Sequence, residues 1–599
     1  MRKRLLFCAA LLIAATAAQA ADFDKRFEEI AAAKGQGSDS ERLKRLFDLA
    51  WEHQIQEVPE MATYLGYPGR HDRWSDQSPE AVKRREATTD KVLLALRSID
   101  RARLTPSEQV LYDLAQRSLE REVEARRFPG EYLQISQVGG VHQDATQLLA
   151  LMPGRTVEDY ENILARLRGL PAVIDQTIAW LEKGLAAGVT PPRITLRDVP
   201  DQVKSLIVDD ALQSPMLTAF NKFPESVRPE ERQRLSREAV RAFGEQVAPA
   251  LRKLHRYLTE TYIPGTRETI AMTALPDGEA WYAFNVRGQT TTDLTPKQIH
   301  ELGLSEVQRI RTEMDKVIAS TGFKGSFEEF IQFLRTDPRF FFDKPEDLVA
   351  EYREIAKRAD PELAHLFGKL PRLPYGVKPI PSYAEKSQTT AYYDGGSLAA
   401  GRPGTYYVNT YDLKSRPKWE MEALTLHESV PGHHLQVALA QEMEGVPEWR
   451  KHDGYTAFAE GWALYAESLG TEMGFYQDPY SKFGQLTYEM WRAVRLVVDT
   501  GMHSMGWTRQ QAIDYFKANA AKTEHDIVVE VDRYIVWPGQ ALAYKIGELK
   551  IKELRALAEK ELGPKFDVRA FHDQVLGNGS LPLNLLEKNV RAWIRLPAP

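Results

Sequence analysis

Residues 427–436 read HESVPGHHLQ. No straight helix passes through this stretch. A proline inside a helix removes a hydrogen bond and clashes with the preceding turn, at about 3 kcal/mol, and here a glycine follows it. The flanking runs WEMEALTL and QVALAQEM favour helix on both sides, so the chain is expected to form a helix interrupted at Pro431. Three histidines and a glutamate border the break, the donor set of a transition-metal site with a general base beside it. In the HExxH helix of zinc peptidases the two histidines sit at i and i+4, about 6 Å of rise apart. Here the i+4 position is Pro431, and the next histidines are His433 and His434. On a straight helix His434 would return to the face of His427 about 10.5 Å further along. That is too far for two Zn–N bonds of about 2.0–2.1 Å to share one ion. A metal site therefore requires Pro431-Gly432 to bend one of the two histidines back to His427. The plainer alternative is a kinked helix with surface histidines.

A third ligand is expected from GYTAFAEGWALYAESLG, residues 454–470. Glu460 and Glu467 lie on one side of a helix whose other positions are mostly apolar. A carboxylate among Ala, Phe and Trp is costly to bury unless it is paired or coordinates an ion. Thirty-three residues separate His427 from Glu460, room for a helix, a turn and a returning antiparallel helix. Glu467 is open to a role as ligand or as support for one, and an ordinary helix ion pair is the plainer alternative for each.

Two further stretches carry polar residues among apolar ones. RLVVDTGMHSMGW, from Arg495, puts Asp499 and His503 at i and i+4. Asp499 is a candidate to orient a ligand histidine, and His503 to face the substrate; a mutually satisfied core pair is the alternative. VDRYIVWPGQALAYKIG, from Val531, sets Arg533 and Tyr534 ahead of a Trp-Pro-Gly bend, with Tyr544 beyond it. A tyrosine hydroxyl can donate to a developing oxyanion, and an arginine can hold a carboxylate in a bidentate way. Structural roles for both are the alternative.

The rest of the chain reads as helix after helix. ERLKRLFDLAWEHQIQ from Glu41 and SEQVLYDLAQRSLEREVEA from Ser107 have the 3.6-residue apolar spacing. TVEDYENILARLRGL and AVIDQTIAWLEKGLAAG read as two successive helices, and a lone His142 as a structural or cleft-lining residue. Near residue 263 the texture shifts to short extended runs and turns, which sets a boundary between an N-terminal helical lobe, 21–265, and a lobe carrying the metal site, 266–599. Between Leu370 and Lys414 two β-prone runs, around Tyr392 and from Tyr406 to Val408, flank a Gly-rich loop. A small sheet there would offer an edge strand to an extended peptide, with Tyr406 as a substrate-binding candidate, or would be a plain hairpin. The fold class expected is mainly α.

The first twenty residues read as a secretory signal: Arg2, Lys3 and Arg4, a short apolar run, and Ala18-Gln19-Ala20 as the cleavage site. Cys8 is the only cysteine, too early and in the wrong context for lipid attachment. Cleavage after Ala20 leaves no thiolate for a metal, so any ion is held by His, Asp or Glu. It also removes three basic residues and no acidic ones, taking the net charge from −6 to −9. A mildly acidic exported chain with no basic patch is a poor binder of nucleic acid. No other stretch is apolar enough to span a membrane.

HESVPGHHLQ, GYTAFAEGWALYAE, RLVVDTGMHSMGW and RYIVWPGQALAYKIG, in this order and with GRPGTYYVNT ahead of them, resemble the bacterial family called domain of unknown function 885. The resemblance spans most of the mature chain. It implies a mostly α-helical fold with a deep cleft, similar to the carboxypeptidase Taq group of zinc peptidases. AEGWALYAE also looks like the third-ligand helix of gluzincin peptidases, where the glutamate before Gly binds zinc; this favours Glu460 over Glu467. In the family the histidine after Pro-Gly is the constant one, which points to His433 as the second ligand and leaves His434 as a neighbour.

The expectation is a periplasmic zinc-dependent peptidase acting on short peptides. One zinc ion is held by His427, His433 and Glu460, with Glu428 as general base. Tyr534 or His503 stabilises the oxyanion, and Arg533 anchors a peptide terminus. A metal-dependent amidase or esterase, and a non-catalytic binding protein with a structural metal closed by a fourth ligand such as His434, are the alternatives.

Overall fold

The computed structural model describes residues 22–595 apart from 382–384, 386–387 and 399–400. The proposed signal segment lies outside the described residues. The protein is mainly helical with one small sheet. Its contacts divide it into two compact units: one ends at Thr266 and takes in Pro447–Trp449, and the other holds Arg267–Val446 and the chain from Arg450 onward.

The described residues of the first unit form helices and their connections, with one isolated β-bridge between Ser136 and Gly139. Helix α1, Asp39–Glu57, starts at a Ser38 cap. Helix α2, Pro106–Ala125, starts at Thr105, whose hydroxyl accepts from the Glu108 N–H while the Glu108 carboxylate accepts from the Thr105 N–H. This reciprocal cap satisfies two amides that a helix start leaves free. The two helices expected between Thr156 and Gly188 are one, α3, Val157–Ala187, with Pro171 inside it. Ile163, Leu164, Leu167, Leu170, Ile174, Ile178 and Leu181 form one buried stripe across the proline. Burying each such side chain is worth roughly 1.5–3 kcal/mol, so the stripe outweighs the proline's cost of about 3 kcal/mol. His142 is buried in this unit and bonded to Gln202 Oε1 at 3.0 Å, a structural histidine.

The second unit opens with α4, Gly278–Thr290, where extended runs were expected. Trp281, Tyr282, Phe284 and Val286 are all buried. An aromatic helix buried on several sides has no polar face to reveal its period. Helix α5, Pro296–Ser320, follows.

Three strands form the sheet: β1 (Tyr375–Pro379), β2 (Ala391–Asp394) and β3 (Gly404–Val408), in the order β1-β3-β2. Strand β3 pairs in parallel with β1, Tyr406 opposite Val377, and antiparallel with β2, Tyr406 opposite Tyr393. The two β-prone runs are strands. The unexpected third, YGVKP, holds a glycine and a proline, which are poor strand formers and suit an edge position.

The remaining helices carry the site: α6 (Met421–Glu428), α7 (His433–Gln441), α8 (Thr456–Leu469), α9 (Pro479–Ser504), α10 (Glu524–Val536) and α11 (Ala543–Leu562). Helix α9 is buried along most of its length against α5 and α10. Helices α8 and α11 cross where Gly461 meets Gly547, and a Cβ on either would strike the other's backbone. Lys545 of α11 is fully buried and reaches Glu489 at 2.8 Å, Glu548 at 2.6 Å and Glu306 at 3.0 Å, tying α5, α9 and α11 together.

Candidate metal centre

The break at Pro431 forms as expected, and neighbouring groups hold it. Helix α6 ends at Glu428 and α7 begins at His433. The indole N–H of Trp462 on α8 donates to the Pro431 carbonyl at 2.8 Å, and the His434 amide donates to the Ser429 carbonyl at 3.0 Å. Gly432 lies so close to the end of α6 that a Cβ there would collide with the carbonyl oxygens of Leu426 and His427. Glycine is required at this position by close approach, not by a left-handed backbone.

The turn separates the two adjacent histidines. His433 faces back toward His427, ring centroids 4.8 Å apart and planes at 87°. His434 turns the other way: its Nδ1 is 2.9 Å from the Tyr393 hydroxyl, and its ring packs on Tyr375 at 4.5 Å. It joins α7 to the sheet, and burial pushes its pKa down to about 4.

Helix α8 brings both glutamates to His427. Glu460 Oε2 lies 3.6 Å from His427 Nε2 and 3.4 Å from His433 Nε2. Glu467 Oε1 lies 2.7 Å from His427 Nδ1. Seven residues span about 10.5 Å of helix, so the two carboxylates bracket one imidazole. The Glu467 contact places the proton on Nδ1 and turns the Nε2 lone pair toward Glu460 and His433, as carboxylates behind ligand histidines do.

One donor atom each from His427, His433 and Glu460 lie within 4.8 Å of one another. Zinc bonds of about 2.0–2.1 Å in a tetrahedron put ligand atoms about 3.4 Å apart, close to the two glutamate–histidine distances. Glu460 Oε2 is buried with no hydrogen-bond partner among the described residues. An orphaned buried carboxylate oxygen is costly, and it points at the spot between the two imidazoles. The donor set, two imidazoles and a carboxylate, suits zinc. Burial disfavours charge on His427, yet Glu460 and Glu467 together outweigh it and raise its pKa to about 9. Burial likewise resists charge on Glu460, but His433 and His427 hold its carboxyl well below the usual range. The residues therefore fit a divalent ion in both geometry and field. Glu428 directly follows His427, the same offset as the glutamate in HExxH helices.

The other candidates lie elsewhere or are already engaged. The Tyr534 hydroxyl donates to Glu530 at 2.6 Å and accepts from Arg495 at 2.8 Å and Trp491 at 3.0 Å. Its proton is committed to Glu530. His503 is fully buried; Nδ1 accepts from the Met272 amide at 3.1 Å and Nε2 donates to the Tyr534 carbonyl at 3.0 Å. Burial holds it neutral, its pKa down to about 4, and both ring nitrogens are engaged. Asp499 bonds Tyr282 at 2.6 Å and the Gly539 amide at 3.1 Å, rather than His503 or a ligand histidine. Arg533 is spent on Glu530 at 2.9 Å and Gln540 at 2.8 Å. Tyr406 sits on the middle strand, fully buried against Tyr352 at 5.6 Å, so the peptide-pairing edge does not fall there. The unread strand β1 is the reason: it covers the side of β3 that a plain hairpin would leave open.

Two residues of the site went unread. Arg492 and Arg495 lie one turn apart on α9, in an otherwise apolar run, and both are buried. Arg492 Nη2 is 3.6 Å from Glu467 Oε1. The burial argument that singled out Glu460 applies equally to them.

Fold and site together define a mainly helical protein whose second unit joins a small three-stranded sheet to a cluster of two histidines and two glutamates, His427 and Glu467 buried and His433 and Glu460 half-buried. The chain belongs to the family described as bacterial protein of unknown function (DUF885), which it matches over residues 59–590. Among solved structures it is similar to the "putative lipoprotein from Colwellia psychrerythraea", at 29% identity and a TM-score of 0.87 over 93% of this chain and 100% of that one. It also shares its fold with a "putative lipoprotein of unknown function from Shewanella oneidensis", at 18% identity and a TM-score of 0.69 over 91% and 99% of the two chains. No curated protein matches.

Proposed function

We propose that this chain is an exported zinc-dependent hydrolase acting on short peptides, in the manner of gluzincin peptidases. The observation that carries the reading is the convergence of His427, His433 and Glu460, with a Glu460 oxygen that has no hydrogen-bond partner among the described residues and lies 3.4–3.6 Å from both imidazoles. These three residues would hold the ion. A zinc ion there supplies Lewis acidity and lowers the pKa of water. Glu428 takes the proton of the attacking water at its carboxylate and returns it to the leaving nitrogen. Glu467 fixes the His427 tautomer and Arg492 lies against Glu467. The narrow cleft implied by the resemblance to the carboxypeptidase Taq group favours short peptides over folded proteins.

Export rests on the signal-like residues 1–20 and on the description of the two relatives as lipoproteins. No helix among the described residues is long and apolar enough to cross a membrane. A closed structural metal site needs a fourth protein ligand. His434, the candidate for that place, is instead bonded to Tyr393, which favours an open catalytic site.

The test compares the mature protein with Glu428→Gln on a peptide library, with esters and non-peptide amides alongside. The wild type is expected to carry about one zinc per chain and to cleave peptides. The variant is expected to keep the zinc and lose at least about a hundredfold in rate. A fully active variant contradicts the mechanism, and cleavage of esters or other amides alone moves the substrate class.

A further inference from the structure

Helix α9 presents Arg492 and Arg495 to a region lined by α8, α10 and α11, where the positive groups outnumber the carboxylates. Lys522 is paired with Glu420 at 2.8 Å. Glu530 is shared by Arg495 at 3.1 Å and Arg533 at 2.9 Å. Glu467 serves His427 and lies 3.6 Å from Arg492. Three arginines thus meet two carboxylates, one of them already engaged by an imidazole. Glu460 faces the histidine cluster, where a divalent ion would balance it. An unbalanced buried cation is costly, and here two of its donors are idle. Arg495 Nη1 and Arg492 Nε are buried without a hydrogen-bond partner among the described residues.

The region is built to hold Arg495 still. Its Nε donates to Tyr534 at 2.8 Å, and its guanidinium lies under the rings of Tyr544 at 4.3 Å and Trp491 at 4.8 Å. Those two rings are half-buried while Arg495 is enclosed, so they form its outer wall. The link to the histidine cluster runs through Arg492, whose Nη2 lies 3.6 Å from Glu467 Oε1, the oxygen 2.7 Å from His427 Nδ1.

We propose that Arg495, with Arg492 beside it, is a carboxylate-binding subsite that takes a carboxylate of the substrate fragment lying between Tyr544 and Trp491. The inference rests on the hydrolase reading and names what that hydrolase recognises. A charge-assisted N–H···O bond from an already ordered guanidinium gives both affinity and register. The carboxylate comes from a peptide's C-terminus or from an acidic side chain.

The test is calorimetric binding to the zinc-loaded mature chain. The probes are N-acetylphenylalanine, its amide, and N-acetylglutamic α-amide, whose only carboxylate is on the side chain. The acid is expected to bind at least about tenfold more tightly than the amide, and Arg495→Gln to remove most of that gap. Tight binding of the glutamic α-amide assigns the subsite to acidic side chains, and weak binding assigns it to the C-terminus; both uphold it. Equal binding of acid and amide together with weak binding of the glutamic α-amide, or carboxylate-dependent binding that survives in Arg495→Gln, overturns it. Arg495→Lys keeps a charge beside Glu530 and serves where the glutamine variant does not fold; it is expected to retain part of the gap. Peptide cleavage with equal probe binding removes the subsite alone. Selective acid binding with no cleavage of any peptide removes the hydrolase reading alone.

Discussion

Glu467 Oε1 lies 2.7 Å from His427 Nδ1, while Glu460 Oε2 approaches the opposite nitrogen of the same ring at 3.6 Å. One imidazole is held between two carboxylates of a single helix. The first sets its tautomer and the second shares its proposed ion.

Glu467→Ala is therefore expected to weaken zinc binding by about 10–100-fold while leaving all three ligands in place. Competition with a chromogenic chelator measures this. An unchanged affinity contradicts the orienting role.

His433 and His434 are expected to part company on substitution. His433→Ala removes a ligand and with it the zinc, at little cost to folding. His434→Ala keeps the zinc and loses the bond to Tyr393 and the packing on Tyr375. That costs roughly 1–3 kcal/mol of stability. Metal analysis and denaturant unfolding of the two variants read the outcomes, and the reverse pattern contradicts the geometry.

Gly432→Ala places a methyl against the carbonyl oxygens of Leu426 and His427, which are backbone and cannot move independently of α6. The turn must open, carrying His433 away. Loss of at least about 2 kcal/mol in stability is expected, together with loss of zinc. A stable, zinc-binding variant contradicts the role given to Gly432.

Asp499 gives a pH-dependent prediction of defined sign. Burial raises its pKa to about 7, against donors at Tyr282 and Gly539 that work the other way. The folded protein therefore disfavours the charged form. The resulting contribution is fully present below the unfolded value near 3.8 and is lost as pH rises through about 7. Asp499→Asn keeps an acceptor for both donors and cannot ionise. Its stability relative to wild type is expected to rise between pH 5 and pH 8, by on the order of 1–3 kcal/mol. Urea unfolding at the two pH values measures the change, and a relative loss for the variant at pH 8 contradicts it.

How much of this was legible in the sequence differs by level. Helices with one polar face declared themselves by period and cap, as α1 and α2 did. Helix α4 did not, because burial on several sides erased the pattern. Pro171 was a false stop, because propensity is local and the buried stripe of α3 is not. At the site, His427 stood out in a cluster of histidines around the Pro-Gly break, Glu460 as a costly carboxylate in apolar surroundings, and His433 over His434 by the family resemblance; the structure brings the three together. What sequence could not supply was the partner of each buried polar group. Tyr534, His503 and Arg533 read as free to act on a substrate, yet each is satisfied inside the fold. Arg492 and Arg495 went unread, yet each keeps a donor with no hydrogen-bond partner among the described residues. Unmet hydrogen-bonding capacity, more than residue type, separates the two sets.

The most direct test of the central claim is anomalous diffraction at the zinc edge from crystals of the mature protein grown with zinc. One peak is predicted within about 2.0–2.2 Å of His427 Nε2, His433 Nε2 and Glu460 Oε2, with Glu467 outside the coordination sphere. No peak at this cluster, or a peak with His434 among its ligands, would contradict the account.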